Sequence, residues 1–163
     1  MRAATLSIVL VLLAALDGCY NQTAAAAAAG WTSDAETLRT RLSAQMGALP
    51  DWGPVVKMGY LDTRSIDTAP SGKGALAYVD SSGRVTQFVL GDVNLSSLTD
   101  NASAVVEAAI PAAAAADKSG LKARLIALVQ AGHPGHTDLV TVDGVTFSAS
   151  HPGSYQLGAQ ASG

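Results

Sequence analysis

Three histidines sit close together near the C-terminal end of the chain: His133-Pro134-Gly135-His136 and His151-Pro152-Gly153. Between them, Asp138 to Ser148 reads as a hairpin turning on Asp143-Gly144, a pair suited to a tight type I′ turn. With Val142 opposite Val145, continuing the ladder places His136 opposite His151, on the face of Val140, Val142, Val145 and Phe147. Directly opposed residues have Cβ atoms about 4.5–5.5 Å apart. Two imidazoles at that spacing, with His133 or Asp138 nearby, are weak candidates for a zinc site. The competing account ends the ladder at the Pro-Gly steps and leaves the histidines solvated. The expectation is therefore no metal and no cofactor.

Other short patterns resemble chemistry but fail on their remaining requirements. Ser119-Gly120-Leu121-Lys122 has the S-x-x-K spacing in which a lysine can serve a nucleophilic serine, but no S-D-N or K-T-G element accompanies it. A helix cap is the simpler role for Ser119. Ser71-Gly72-Lys73-Gly74 lacks the upstream glycine and the following hydroxyl of a phosphate loop, with Asp67 and Gly74 in those places. Asp92-x-Asn94-x-Ser96 opens like a calcium loop, but Ser97 stands where glycine is needed and Ser103 where glutamate is. Only two glutamates occur, Glu36 and Glu107, and both suit helix surfaces. No acid/base pair assembles from these residues, and we expect no enzyme and no catalytic residue.

The elements that would hold these residues point to an α+β fold. Ser33 and Glu36 have capping-box spacing, and Leu38, Leu42, Met46 and Leu49 follow as one apolar stripe, with Arg39 and Arg41 toward water. Pro50 and Asp51-Trp52-Gly53-Pro54 end that helix. Val55 to Leu61 reads as a strand, followed by a looser stretch to Gly74. Ala75–Val79 and Arg84–Leu90 form a hairpin closed by Asp80-Ser81-Ser82-Gly83. Its apolar groups lie on both faces, so it is central in the sheet or covered by a partner subunit. A helix capped by Thr99 or Asp100 spans about Ala102 to Ile110, and another runs from about Gly120 to Ala131. The expectation is a small antiparallel sheet of two hairpins and one further strand, with two or three helices on one face. Gly153 to Gly163 reads as a flexible tail.

The N-terminus carries the most specific signal. Arg2 precedes an uncharged run, Ala3 to Leu16, which ends in Leu16-Asp17-Gly18-Cys19 and holds the chain's only cysteine. The run is shorter than the about 20 apolar residues of a spanning helix, and it fits the h-region of an export signal. Leu16 three before the cysteine and Gly18 just before it make the segment resemble a bacterial lipoprotein precursor; Asp17 departs from that family's small uncharged residue. The resemblance covers nineteen residues and implies cleavage before an acylated Cys19.

The domain plan is then an export signal over residues 1–18, an acylated cysteine with an alanine-rich tether over 19–30, a single α+β domain over 31–152, and the tail over 153–163. The mature net charge stays at −3, because the removed part holds Arg2 and Asp17. Mild acidity argues against nucleic acid, which asks for a basic patch. The partners implied are a membrane, reached through the lipid anchor, and an unidentified protein, and a homo-oligomer is open. All three asparagines, Asn21, Asn94 and Asn101, fall in N-x-S/T sequons, which leaves a glycosylated secreted protein open. The leading expectation is a non-catalytic envelope lipoprotein with a structural or protein-binding role. The alternatives are a structural component of a virus-like particle or filament with an uncleaved N-terminus, and a secreted metal-binding or hydrolytic domain.

Overall fold

The computed structural model describes residues 31–58, 61–66, 74–93, 96–111, 113, 115–132, 135, 137–150 and 155–161. Helix α1 (Ala35–Met46) is followed by a four-stranded meander, β1 (Val56–Met58), β2 (Leu61–Ile66), β3 (Gly74–Val79) and β4 (Val85–Val93). Helices α2 (Leu98–Ala109) and α3 (Ala115–Ala131) then cross to the far edge. There β5 (Thr137–Val142), β6 (Val145–Ser150) and β7 (Tyr155–Ala161) run back toward the centre. The result is α+β: a seven-stranded antiparallel sheet, ordered β1-β2-β3-β4-β7-β6-β5, under three helices. Local signals count hairpins but not how they join, so the sheet exceeds the expected five strands.

Helix α1 begins where its cap can take a charge. Asp34, not Ser33, is the N-cap, and its carboxylate accepts from the Thr37 N–H at 2.7 Å. That hydrogen bond to Thr37 holds the Asp34 carboxyl below its ordinary value. A carboxylate also meets the positive end of the helix dipole. Ser33 is used otherwise, its carbonyl accepting from the Val85 N–H at 2.7 Å. Glu36 turns to Arg39 at 2.8 Å instead of closing a capping box. Leu38 and Leu42 are buried and Met46 packs against the core, as the stripe predicts, but the helix ends at Met46 with Gly47 as its C-cap, short of the expected Pro50, so Leu49 is buried from beyond it. Arg39 does reach the surface, but Arg41 bends back to donate to Thr32 Oγ1.

The helices lie on one face. Helix α2 packs between α1 and α3 and over β7 and β4, while α3 covers β6. Its buried residues are mostly small, Ala102, Ala104, Val105, Val106, Ala108 and Ala109, and they let it sit close to its neighbours. The bulk comes from a modest set of large side chains, among them Phe88, Phe147, Leu90, Leu125 and Leu157. Each such burial contributes about 1.5–3 kcal/mol. Trp31 stacks on Phe88 with ring centroids 5.9 Å apart and donates its indole N–H to the Val85 carbonyl. The domain is thus locked to the sheet from its first described residue.

Several boundaries differ from the sequence reading. Helix α2 starts at Leu98 with Ser97 as N-cap, so Thr99 and Asp100 lie inside its first turn. Helix α3 starts at Ala115, which makes Gly120 and Ser119 interior positions. The single strand expected over Val55–Leu61 is two, paired Met58 to Leu61, and the looser stretch supplies most of β2. The largest correction concerns the flexible tail. Residues Tyr155–Ala161 are β7, inserted between β4 and β6 and paired to both. The two-sided apolar hairpin, β3–β4, is accordingly internal to the sheet.

Candidate functional site

The sheet has two unlike faces, set by the alternation of side chains along each strand. Ala77, Phe88, Ala159, Phe147 and Val140 align across the helix-covered face. The next row, on the outer face, runs Ser65, Leu76, Val89, Gly158, Ser148 and Leu139. Tyr78 and Val89 are buried there with Leu76 against them, forming a small second apolar cluster. Around it the outer face is uncharged and polar: Thr63, Gln87, Ser150 and Gln156 are all buried.

Ser150 and Gln156 are direct cross-strand partners. Gln156 is 1% exposed. The Ser150 hydroxyl and both amide atoms of Gln156 make no hydrogen bond. An unpaired buried polar group costs about 1–3 kcal/mol, so this pair is a local cost to the fold, buried beyond the reach of a partner at the surface. Amides and hydroxyls bind and orient; they do not shuttle protons near neutral pH.

Several charged groups are committed to structural contacts elsewhere. Glu107 on α2 bridges two lysines of α3, Lys118 at 2.7 Å and Lys122 at 2.8 Å, and Lys118 also donates to the Pro111 carbonyl. Burial pushes the Glu107 carboxyl up, but the two lysine contacts outweigh it and leave it below its ordinary value. Glu107 is therefore an ionised clasp between helices, not a proton donor. With Lys122 held by Glu107 and Ser119 inside α3, the S-x-x-K spacing builds no serine–lysine pair.

Asp80 closes the β3–β4 turn, accepting from the Ser82 N–H and hydroxyl and from the Arg84 N–H and guanidinium. Partial burial raises its pKa, and these hydrogen bonds more than reverse that, to about 2.

The Asp143-Gly144 turn has φ of 51° and 74°, as a type I′ turn requires, and the expected register holds from Val142↔Val145 to Thr137↔Ser150. His133, His136 and His151 lie outside the described residues, as do Cys19, Asn21, Asn94 and the Ser71–Gly72–Lys73 pattern. Among the described residues no group of three histidine, cysteine, aspartate or glutamate side chains could hold a metal ion. Asn101 is described: it is buried, and its amide nitrogen donates to Ser97 Oγ at 2.8 Å. The folded domain thus offers no free amide at that sequon. Among the described residues no helix is long and apolar enough to cross a membrane. Comparison of the chain with protein-family models, curated proteins and solved structures finds no match.

Proposed function

We propose that the protein is an exported lipoprotein of a bacterial cell envelope, with a non-catalytic structural or protein-binding role. The observation that carries this reading is the placement of the chain's only cysteine, at the end of an Arg2-led apolar run and directly after Leu16-Asp17-Gly18. Two features support it. Residues 20–30 give a tether of eleven residues, which spans at most about 36–40 Å when extended and sets the domain clear of a lipid surface. The uncharged outer face, with Ser65, Leu139 and Thr141 exposed on it, offers neutral contacts to a partner without acid/base groups.

In this reading Cys19 bears the lipid, and a single acyl chain anchors only marginally, so further acylation of the same residue completes the attachment. The test is Cys19→Ser in a bacterial host that processes lipoproteins, followed by fractionation and N-terminal mass spectrometry. Wild type should begin at a lipid-modified Cys19 and sediment with membranes, and the variant should keep its signal or appear soluble. A wild-type chain that retains Met1 and carries no lipid sinks the proposal.

A further inference from the structure

The sheet ends in two edges of different character. At β1 the edge is blunted: three residues long, preceded by Pro54 and centred on Lys57. Short length, proline and lysine are the usual means of keeping an edge from recruiting another strand. At β5 the edge is six residues long, Thr137 to Val142, with neither proline nor lysine, and no described strand lies beyond it. Leu139 at its middle is 52% exposed.

The hairpin turn decides which backbone groups this edge presents. A two-residue type I′ turn closes on a hydrogen-bonded pair, here Val142 and Val145. Hydrogen-bonded and non-hydrogen-bonded pairs then alternate along the ladder. Val142, Val140 and Asp138 therefore turn their N–H and C=O groups inward to β6. Thr137, Leu139 and Thr141 turn theirs outward.

We propose that β5 pairs with β5 of a second copy of this chain, antiparallel, about a two-fold axis through Leu139 and perpendicular to the sheet. That register sets Leu139 opposite Leu139 and Thr137 opposite Thr141. Each outward-turned residue then meets an outward-turned residue, and every one of these N–H and C=O groups finds a partner. A two-fold of this kind keeps faces matched, so the outer polar surface and the helix layer both continue across the join. The two exposed leucines cover each other at the axis. Asp138 comes opposite Val140, and the two aspartates stay about 8 Å apart, two residues along the strand and one strand across. The residues are self-complementary in shape and hydrogen bonding, which is what an isologous contact requires.

A six-residue edge buries less than the about 1,200 Å² of a standard interface, so the dimer is weak and concentration-dependent. The inference does not rest on acylation of Cys19, because every residue it uses lies in the described sheet.

Hydrogen exchange read by NMR on the full chain tests it, in mild detergent with fewer than one chain per micelle. Raising the protein a hundredfold, from about 10 µM to 1 mM, across the range in which a weak complex fills, should slow exchange at the Thr137, Leu139 and Thr141 amides. The Asp138, Val140 and Val142 amides should be protected throughout. Sedimentation over the same range should show dimer formation. Leu139→Lys should weaken the dimer at least about tenfold and leave the urea midpoint unchanged, since its N–H and C=O turn away from β6. Thr141→Pro should weaken it as much and lower the midpoint slightly, because it also removes the Thr141–Thr146 hydroxyl contact at 3.0 Å. A chain that stays monomeric, or one that associates while those three amides exchange as at low concentration, overturns the proposal.

Discussion

Replacing Gly158 by alanine tests the position of β7, because that glycine sits where two strands close on a third. A Cβ on Gly158 would lie 2.9 Å from Ser148 Oγ on β6, 3.0 Å from the Phe88 carbonyl oxygen on β4 and 3.3 Å from Val89 Cγ2. The first contact is cheap to relieve, since the serine hydroxyl can rotate. The second is not, because the Phe88 carbonyl belongs to a strand paired on both sides. The third involves a β-branched, buried side chain with little freedom to move. Overpacking of this kind costs about 1–3 kcal/mol, and the smaller unfolded-state entropy of alanine returns about 0.5–1 kcal/mol. The net expectation for Gly158→Ala is a loss of about 1–2 kcal/mol. Urea unfolding followed by tryptophan fluorescence measures it directly, because Trp31 stacks on Phe88 and Trp52 is buried beneath the start of α1. Adding Ser148→Ala should recover less than half of the loss, as the backbone contact remains. If Gly158→Ala unfolds at the same or higher urea than the wild type, the packing of β7 between β4 and β6 is wrong.

Gly120 gives the opposite expectation. It is an exposed interior position of α3 with nothing within 4 Å of an added Cβ, so Gly120→Ala should stabilise by about 0.5–1 kcal/mol in the same assay. Asp80 should show itself in acid. Its folded pKa of about 2 lies below the 3.8 of an ordinary aspartate, so its stabilisation is present above about pH 4 and is lost as pH falls toward 2. Asp80→Asn should therefore cost about 1–2 kcal/mol at neutral pH, with the gap to wild type closing by about pH 2; a gap independent of pH would show that the carboxylate charge is not what holds the turn.

What the sequence displayed, it displayed through local rules. The Leu38, Leu42 and Met46 stripe determined α1, and Asp143-Gly144 determined both the β5–β6 hairpin and its register, which the structure keeps to Thr137↔Ser150. Asp80-Ser81-Ser82-Gly83 likewise marked the β3–β4 turn. Such signals survive because turn geometry and helical periodicity involve residues a few places apart. The candidate site was far less legible. Gln156 and Ser150 are ordinary polar residues in the sequence, and their lack of hydrogen-bond partners exists only once β6 and β7 pair.

Tertiary structure alone decided the centre of the sheet. In β7, Leu157, Ala159 and Ala161 alternate with Gln156, Gly158 and Gln160, a period of two that is faint because most of the side chains are small. Small residues have weak strand preference in isolation. They belong here because α2 crosses above with its own alanines, and because β4 and β6 leave a gap one strand wide. The same holds for the Asp34 cap, since Ser33 is drawn away by Val85, fifty-two residues later in the chain. A residue's partner at that distance is fixed by which surfaces meet when the chain collapses, and no window of neighbouring residues contains that information.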